Sequence, residues 1–226
     1  MRRGGPAVAA LVVGALPFLI FSMKPALHPV MSQARDLASS APAPAETRLR
    51  RALDQVGATY PPPAPTLKVF KRQRCLELWS GGTFIKAYRV GLGAEPEQDK
   101  EREGDHRTPV GEFYVCTRND RSKFHLFLGV SYPNVEDAER GLRAGLITRP
   151  EYRRILDAQR RRERPPWDTS LGGQVGVHGF GAGSDWTWGC IALENDDIEE
   201  LWLACPLKTP ILIFADQSDA GAPAAP

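Results

Sequence analysis

The sequence carries almost no surplus of charge: 29 basic and 27 acidic side chains leave a formal net charge of +2. A nucleic-acid surface asks for a pronounced basic excess, so nucleic acid is not an expected partner. The four cysteines (Cys75, Cys116, Cys190 and Cys205) form no Cys-x-x-Cys pair and no other metal-finger spacing. There is no internal repeat. What is present is an ordinary globular composition, 42% hydrophobic and 25% charged, in 226 residues. That length suits one domain with a substantial core, which needs no framework of disulfides.

The N-terminus is more informative. Arg2 and Arg3 precede an uncharged stretch from Gly4 to Met23 that contains a long apolar run. A basic segment followed by an apolar one is the pattern of an export signal, whereas a core helix rarely opens a chain with no polar face. The run lies between a long signal core and a short membrane span, so residues 1–23 read as a signal peptide or an N-terminal membrane anchor. Small residues near Ala38–Ala41 offer cleavage candidates without singling one out, and no Cys closely follows the run to carry a lipid. The cysteines are then expected outside the cytoplasm, where disulfides are permitted.

Residues 24–65 read as an Ala/Pro-rich linker containing one short amphipathic helix, Glu46–Val56, which Tyr60-Pro-Pro-Pro-Ala-Pro65 terminates. From Thr66 the apolar period becomes two. Strands are expected at Leu76–Ser80 and Thr83–Val90 around a Gly81-Gly82 turn, then at Gly111–Thr117, Phe124–Ser131, Val175–His178 and Pro210–Phe214. Residues 135–163 are helical in pattern, broken near Thr148-Arg-Pro150, and Asp196-Asp-Ile-Glu199 resembles a capping box before a further helix. The expected fold is a mostly β domain over residues 66–216 with a helical insertion, followed by a disordered tail, 217–226.

The chemistry concentrates in Val175-Gly-Val-His-Gly-Phe-Gly-Ala-Gly-Ser-Asp-Trp-Thr-Trp-Gly-Cys-Ile-Ala-Leu193. A short apolar strand delivers His178 to its end, and a glycine-rich loop allows the backbone to fold back to Cys190. A free thiol is weakly ionised at neutral pH, and a neighbouring imidazole can convert it to a thiolate. Gly189 beside the nucleophile leaves room for backbone N–H groups to meet an oxyanion. Spacing alone leaves two plainer readings standing: a structural Cys190, buried or bonded to Cys205, and an ordinary strand-end His178. A zinc site from Cys190 and His178 lacks a third ligand at a recognisable spacing, and no cofactor motif is found.

His178-Gly179 followed by Trp186-Thr-Trp-Gly-Cys-Ile-Ala-Leu193 resembles the signature of the L,D-transpeptidase catalytic domain (YkuD-type). It is especially similar to the Asp-Trp-Thr-x-Gly-Cys-Ile-Ala-Leu branch of Gram-negative envelope proteins. Gly104-Asp-His-Arg-Thr-Pro-Val-Gly-Glu-Phe113 and Phe124-His-Leu-Phe-Leu-Gly-Val-Ser-Tyr-Pro-Asn134 resemble that family's supporting blocks, in the expected order. The resemblance implies an L,D-transpeptidase-like β-sandwich or barrel, a periplasmic or envelope location and peptidoglycan stem peptides as partner. It implies Cys190 as nucleophile and His178 as base, the latter held by a backbone carbonyl near Gly179, with an oxyanion hole at Gly189. An amine acceptor gives transpeptidation, and water gives hydrolysis, as in an L,D-carboxypeptidase or a hydrolase that releases wall-linked protein. Two departures stand out. Trp188 replaces a second His common before the Gly-Cys pair, and Ala192 replaces an Arg common two residues after the Cys. The same branch includes proteins that hydrolyse peptidoglycan–protein linkages. A non-catalytic wall-binding module on the same scaffold is the remaining alternative.

Trp186, Thr187 and Trp188 are the candidate substrate contacts, although aromatics in glycine loops equally often pin the loop. His106 and His125 lie in the supporting blocks and read more simply as turn and strand residues. The run Arg153-Arg154 and Arg160–Arg164 reads as a solvated helix face.

Overall fold

The computed structural model describes residues 43–221. The segment read as an export signal, and residues 24–42 of the linker, lie outside them. Eight strands form one sheet: β1 (Pro65–Phe70), β2 (Cys75–Ser80), β3 (Thr83–Arg89), β4 (Gly111–Ser122), β5 (His125–Val130), β6 (Gly176–His178), β7 (Ile191–Ala192) and β8 (Pro210–Phe214). Their order is β3-β2-β1-β8-β4-β5-β6-β7. The β2–β3 hairpin turns on Gly81 and Gly82, both at positive φ (54° and 84°), as a two-residue turn matching the strand twist requires.

The sheet curls into a half-barrel, and its two ends meet. Just past β3, Gly91 donates to Ala192 O at 2.9 Å and accepts from Ala192 N at 2.8 Å. A side chain on Gly91 would overlap the backbone oxygen of Ser184, so only glycine permits the approach. Of the sandwich and barrel forms implied by the resemblance, the described residues adopt the barrel-like one.

Four helices cover this sheet: α1 (Ala45–Gln55), α2 (Val135–Arg143), α3 (Arg149–Arg161) and α4 (Asn195–Ala204). Helices α2 and α3 form the insertion between β5 and β6, with a small core of their own from Ala138, Ile147, Ile155 and Leu171. The apparent break at Thr148 is the start of α3. Thr148 caps it reciprocally with Glu151, and Asn134 does the same for α2 with Asp137. No such box exists at Asp196. Helix α4 begins after Glu194, whose side chain makes no capping bond, so that expectation was wrong.

The linker reading also needs correction. Helix α1 is part of the folded unit: Leu49 and Leu53, four residues apart on one face, are fully buried in the main core. Arg48 on the same helix reaches Glu200 of α4 at 2.6 Å. Glu200 is itself fully buried and also receives Lys86 Nζ at 2.8 Å and Tyr88 OH at 3.1 Å. Sequence proximity to a proline run suggested a linker, but the partner of α1 lies some 150 residues away. Leu53→Ala is expected to lower the unfolding free energy by about 2–5 kcal/mol. Urea denaturation measures this, and a loss below about 1 kcal/mol would mean that α1 does not share the core. At the other end, Gln217–Gly221 form a short 3-10 turn where a disordered tail was expected. Among the described residues, no helix is long and apolar enough to cross a membrane.

Candidate active site

Strand register brings the two candidate catalytic side chains together. Parallel strands β6 and β7 pair Val177 with Ile191 and His178 with Ala192. Val177 and Ile191 point into the core, both fully buried. Because strand side chains alternate, Cys190 and His178 share the opposite face, diagonal to each other. Such diagonal neighbours have Cβ atoms roughly 7 Å apart, within reach of an imidazole and a thiol.

The His178 ring is almost fully buried. Its Nδ1 lies 2.6 Å from Gly179 O, and Nδ1–H donating to that carbonyl leaves Nε2 as the basic nitrogen. Gly179 N in turn donates to Phe124 O at 3.0 Å, fixing the strand end. Phe124 stacks on the imidazole at 4.7 Å between ring centroids, and Trp186 meets it edge-on at 5.7 Å. Burial holds the imidazole below its usual 6.5, while the Gly179 carbonyl works in the opposite direction.

Cys190 is partly exposed and, like the other three cysteines, unpaired. Cys205 lies fully buried in the main core, which disposes of the bonded alternative in this structure. The Cys190 thiol donates to Gln174 O at 3.5 Å, and no hydrogen bond joins it to His178 among the described residues. Nucleophile–base contacts are often loose before substrate binds. Desolvation pushes the thiol up to about 11, opposed by the Gly176 backbone N–H and by the Lys100 ammonium.

Two cavities meet at this sulfur. One, of about 660 Å³, runs beneath the β4–β5 hairpin between Arg121, Lys123, Arg164 and Trp167. The other, of about 450 Å³, is walled by Lys100, Glu103, Trp186, Thr187 and Trp188. Cys190, Phe124 and Gln174 line both. A further cavity of about 630 Å³, between Tyr114, Leu156 and Leu212, contains no nucleophile and no histidine.

The approach to Cys190 differs from the sequence reading in one respect. The Thr187 hydroxyl accepts from Gly189 N at 3.1 Å and donates to Cys190 O at 2.8 Å. The Gly189 N–H is therefore engaged within the loop rather than aimed into a cavity, and Thr187, only 3% exposed, ties that turn. The glycine is still needed: its φ is 118°, and a Cβ there would press on Arg107 O.

The aromatics divide between the two readings. Trp186 donates to Gly181 O at 3.1 Å, pinning the loop, while its ring walls the smaller cavity. Trp188 is 73% exposed and stacks on His106 at 5.2 Å, forming the rim. His125 pairs with Glu199 at 2.9 Å on the outer surface. In the arginine run, Arg154, Arg160 and Arg161 make surface ion pairs. Arg164 instead lies over the Trp167 ring in the wall of the larger cavity. Sequence pattern missed Arg164, Lys100 and Gln174, because none belongs to the segment carrying the thiol and the imidazole.

The profile of the L,D-transpeptidase catalytic domain (YkuD) family matches residues 65–213. A comparison with curated proteins finds no match. Among solved structures, Bd1075 from Bdellovibrio bacteriovorus is 23% identical, over 70% of this chain and 50% of that one, with a TM-score of 0.45. A mutant of the helical cell shape determining protein Pgp2 from Campylobacter jejuni is 18% identical, over 78% and 57%, with a TM-score of 0.48. An L,D-transpeptidase from Xylanimonas cellulosilytica is 17% identical, over 73% and 68%, with a TM-score of 0.39. The chain spans about half the length of the first two.

Proposed function

Since the chain belongs to the L,D-transpeptidase catalytic domain family, we propose that it is a cell-envelope cysteine acyl enzyme acting on peptidoglycan stem peptides. The observation that carries this reading is the shared face of β6 and β7, where a half-buried thiol lining two cavities lies diagonal to an imidazole with a free Nε2. One cavity suits the acyl donor and the other the acceptor, an arrangement that acyl transfer needs and simple binding does not.

In the proposed reaction, His178 Nε2 takes the thiol proton and the sulfur attacks the carbonyl carbon of an L-centre in the stem. The tetrahedral intermediate collapses as the C–N bond breaks, and the leaving amine departs with the proton held by His178. A thioester on Cys190 remains. The second nucleophile, an amine or water, gives its proton to His178 and attacks the thioester. The C–S bond breaks and the thiol is restored. Transpeptidation and hydrolysis differ only in that second nucleophile. The oxyanion hole expected at Gly189 would require its N–H to leave Thr187 when substrate binds.

A hydrolytic outcome has one observation in its favour. Ala192 is fully buried, with its N–H and carbonyl both tied to Gly91. Its side chain is a single methyl group, so no cation beside the nucleophile on β7 holds a substrate carboxylate. The test is incubation of purified cell-wall material with wild type and with Cys190→Ala, followed by mass analysis of the soluble and wall-bound products. New cross-links, shortened stems or released protein, each dependent on Cys190, separate the three outcomes. Identical material from both incubations removes the assignment and leaves the wall-binding module.

A further inference from the structure

A buried ammonium lies beside the nucleophile, and nothing in the reaction above uses it. Lys100, in the connection between β3 and β4, is 2% exposed. Burying a lysine charge is costly unless partners compensate for lost water. Two partners do: Asp105 Oδ1 at 2.7 Å and Arg102 O at 3.0 Å. An ammonium has three protons to donate, so one is left over. The Tyr132 ring centroid lies 5.7 Å from Nζ. Nζ is also 3.9 Å from where a Cβ on Gly189 would stand, and Lys100 forms part of the cavity wall that holds Cys190.

The orientation of this ion pair matters more than its existence. Asp105 accepts from Lys100 and also from the backbone N–H groups of Glu101, Arg102 and Arg107. Those donors hold its carboxyl below the usual range in spite of burial. The carboxylate charge is thus spread into the loop behind, and Asp105 is not part of the cavity wall, whereas Lys100 is. The pair presents its positive end to the sulfur.

We propose that Lys100 is a positioning residue for the nucleophile: its ammonium stabilises the Cys190 thiolate through the cavity they share. The role complements His178, which takes the proton but, being buried and nearly neutral, supplies little charge beforehand. Desolvation pushes the thiol up to about 11 even with the Lys100 ammonium opposing it, so the thiolate fraction without that cation would be smaller still. A fixed cation in a site of low dielectric raises that fraction. Other charges also face the sulfur: Arg118, Arg121, Lys123 and Arg164 line the larger cavity that Cys190 shares. Glu103 lies on the same wall as Lys100 and opposes it, while the His178 ring packs against Phe124 and Trp186. The Arg107 side chain turns to Glu101 and Asp99.

The consequence for catalysis rests on the acyl-enzyme reading, but the ionisation itself can be measured without any wall substrate. The experiment follows alkylation of Cys190 by neutral iodoacetamide against pH, resolved from the other cysteines by peptide mass. Wild type, Lys100→Met and Lys100→Arg are compared. In Lys100→Met the inflection rises by about one pH unit, and alkylation at neutral pH slows about tenfold. Lys100→Arg restores most of the rate, which a lost packing contact would not predict. Superimposable profiles overturn the proposal.

If Lys100→Met does not fold, the wild type supplies the answer. The Lys100 13Cε resonance in lysine-labelled protein shifts through the thiol's own titration, and the step disappears in Cys190→Ser. A flat resonance overturns the proposal equally. Altered alkylation in a protein that leaves wall material untouched would sink the enzymatic reading while sparing this one.

Discussion

Cys190→Ala is expected to reduce turnover of peptidoglycan stems by at least about a thousandfold while leaving the fold intact. A factor of a thousand corresponds to about 4 kcal/mol of transition-state stabilisation, reasonable for removal of the atom that forms the covalent intermediate. The structural cost is small. The sulfur is partly exposed, and its hydrogen bond to Gln174 O is long, 3.5 Å. The His178–Gly179 bond, the Lys100–Asp105 pair and the Thr187 turn involve none of its side-chain atoms. Melting temperature should therefore move by no more than a surface substitution would cause. Turnover and melting measured on the same preparation check both halves. Retention of a tenth or more of the wild-type rate would remove Cys190 from the covalent step.

His178→Gln is expected to slow acylation of Cys190 by about a hundred- to ten-thousandfold, the range for losing a positioned general base. Glutamine keeps a polar side chain of similar reach against Phe124 and Trp186 but cannot accept and return a proton. The pH dependence gives a second, independent readout. Burial holds the imidazole below 6.5, and the neutral form is the active one. The base is thus protonated, and activity lost, only as pH falls through a midpoint lower than 6.5. The acid limb of kcat/KM in wild type should lie there and should vanish in His178→Gln. An acid limb above 6.5, or one that persists in the variant, would assign the base to another group.

Much of this protein can be read without coordinates wherever the governing interaction is local. Gly81-Gly82 forms its hairpin because positive φ at two successive residues is a backbone property. Pro210–Phe214 is found with the expected limits, as a short β-rich run between turn residues. Errors arose where a local pattern competed with a distant partner. Glu46–Val56 was correctly helical but was assigned to a linker, because Leu49 and Leu53 gain their value only from the core beneath α4. Asp196 looked like a cap, yet the residue at the N-cap of α4 is Glu194, two positions earlier, whose side chain instead accepts from Ala182 N at 2.9 Å. Thr187, a candidate substrate contact, lines the smaller cavity and also ties the turn before Cys190, a second role that no pattern signalled.

The sequence by itself determined the candidate reactive groups: one thiol and one imidazole, joined by a glycine-rich loop that allows the chain to return on itself. It also determined their family, because that loop is a continuous motif. Only the tertiary structure decided how the groups are used. Register between β6 and β7 puts Cys190 and His178 on one face, and the meeting of Gly91 with Ala192 closes the sheet. Lys100 comes to Cys190 from 90 positions away, and Arg164 reaches the other cavity from the insertion. These placements depend on which strands pair and which faces are buried. That is a property of the whole core, which no window of neighbouring residues contains.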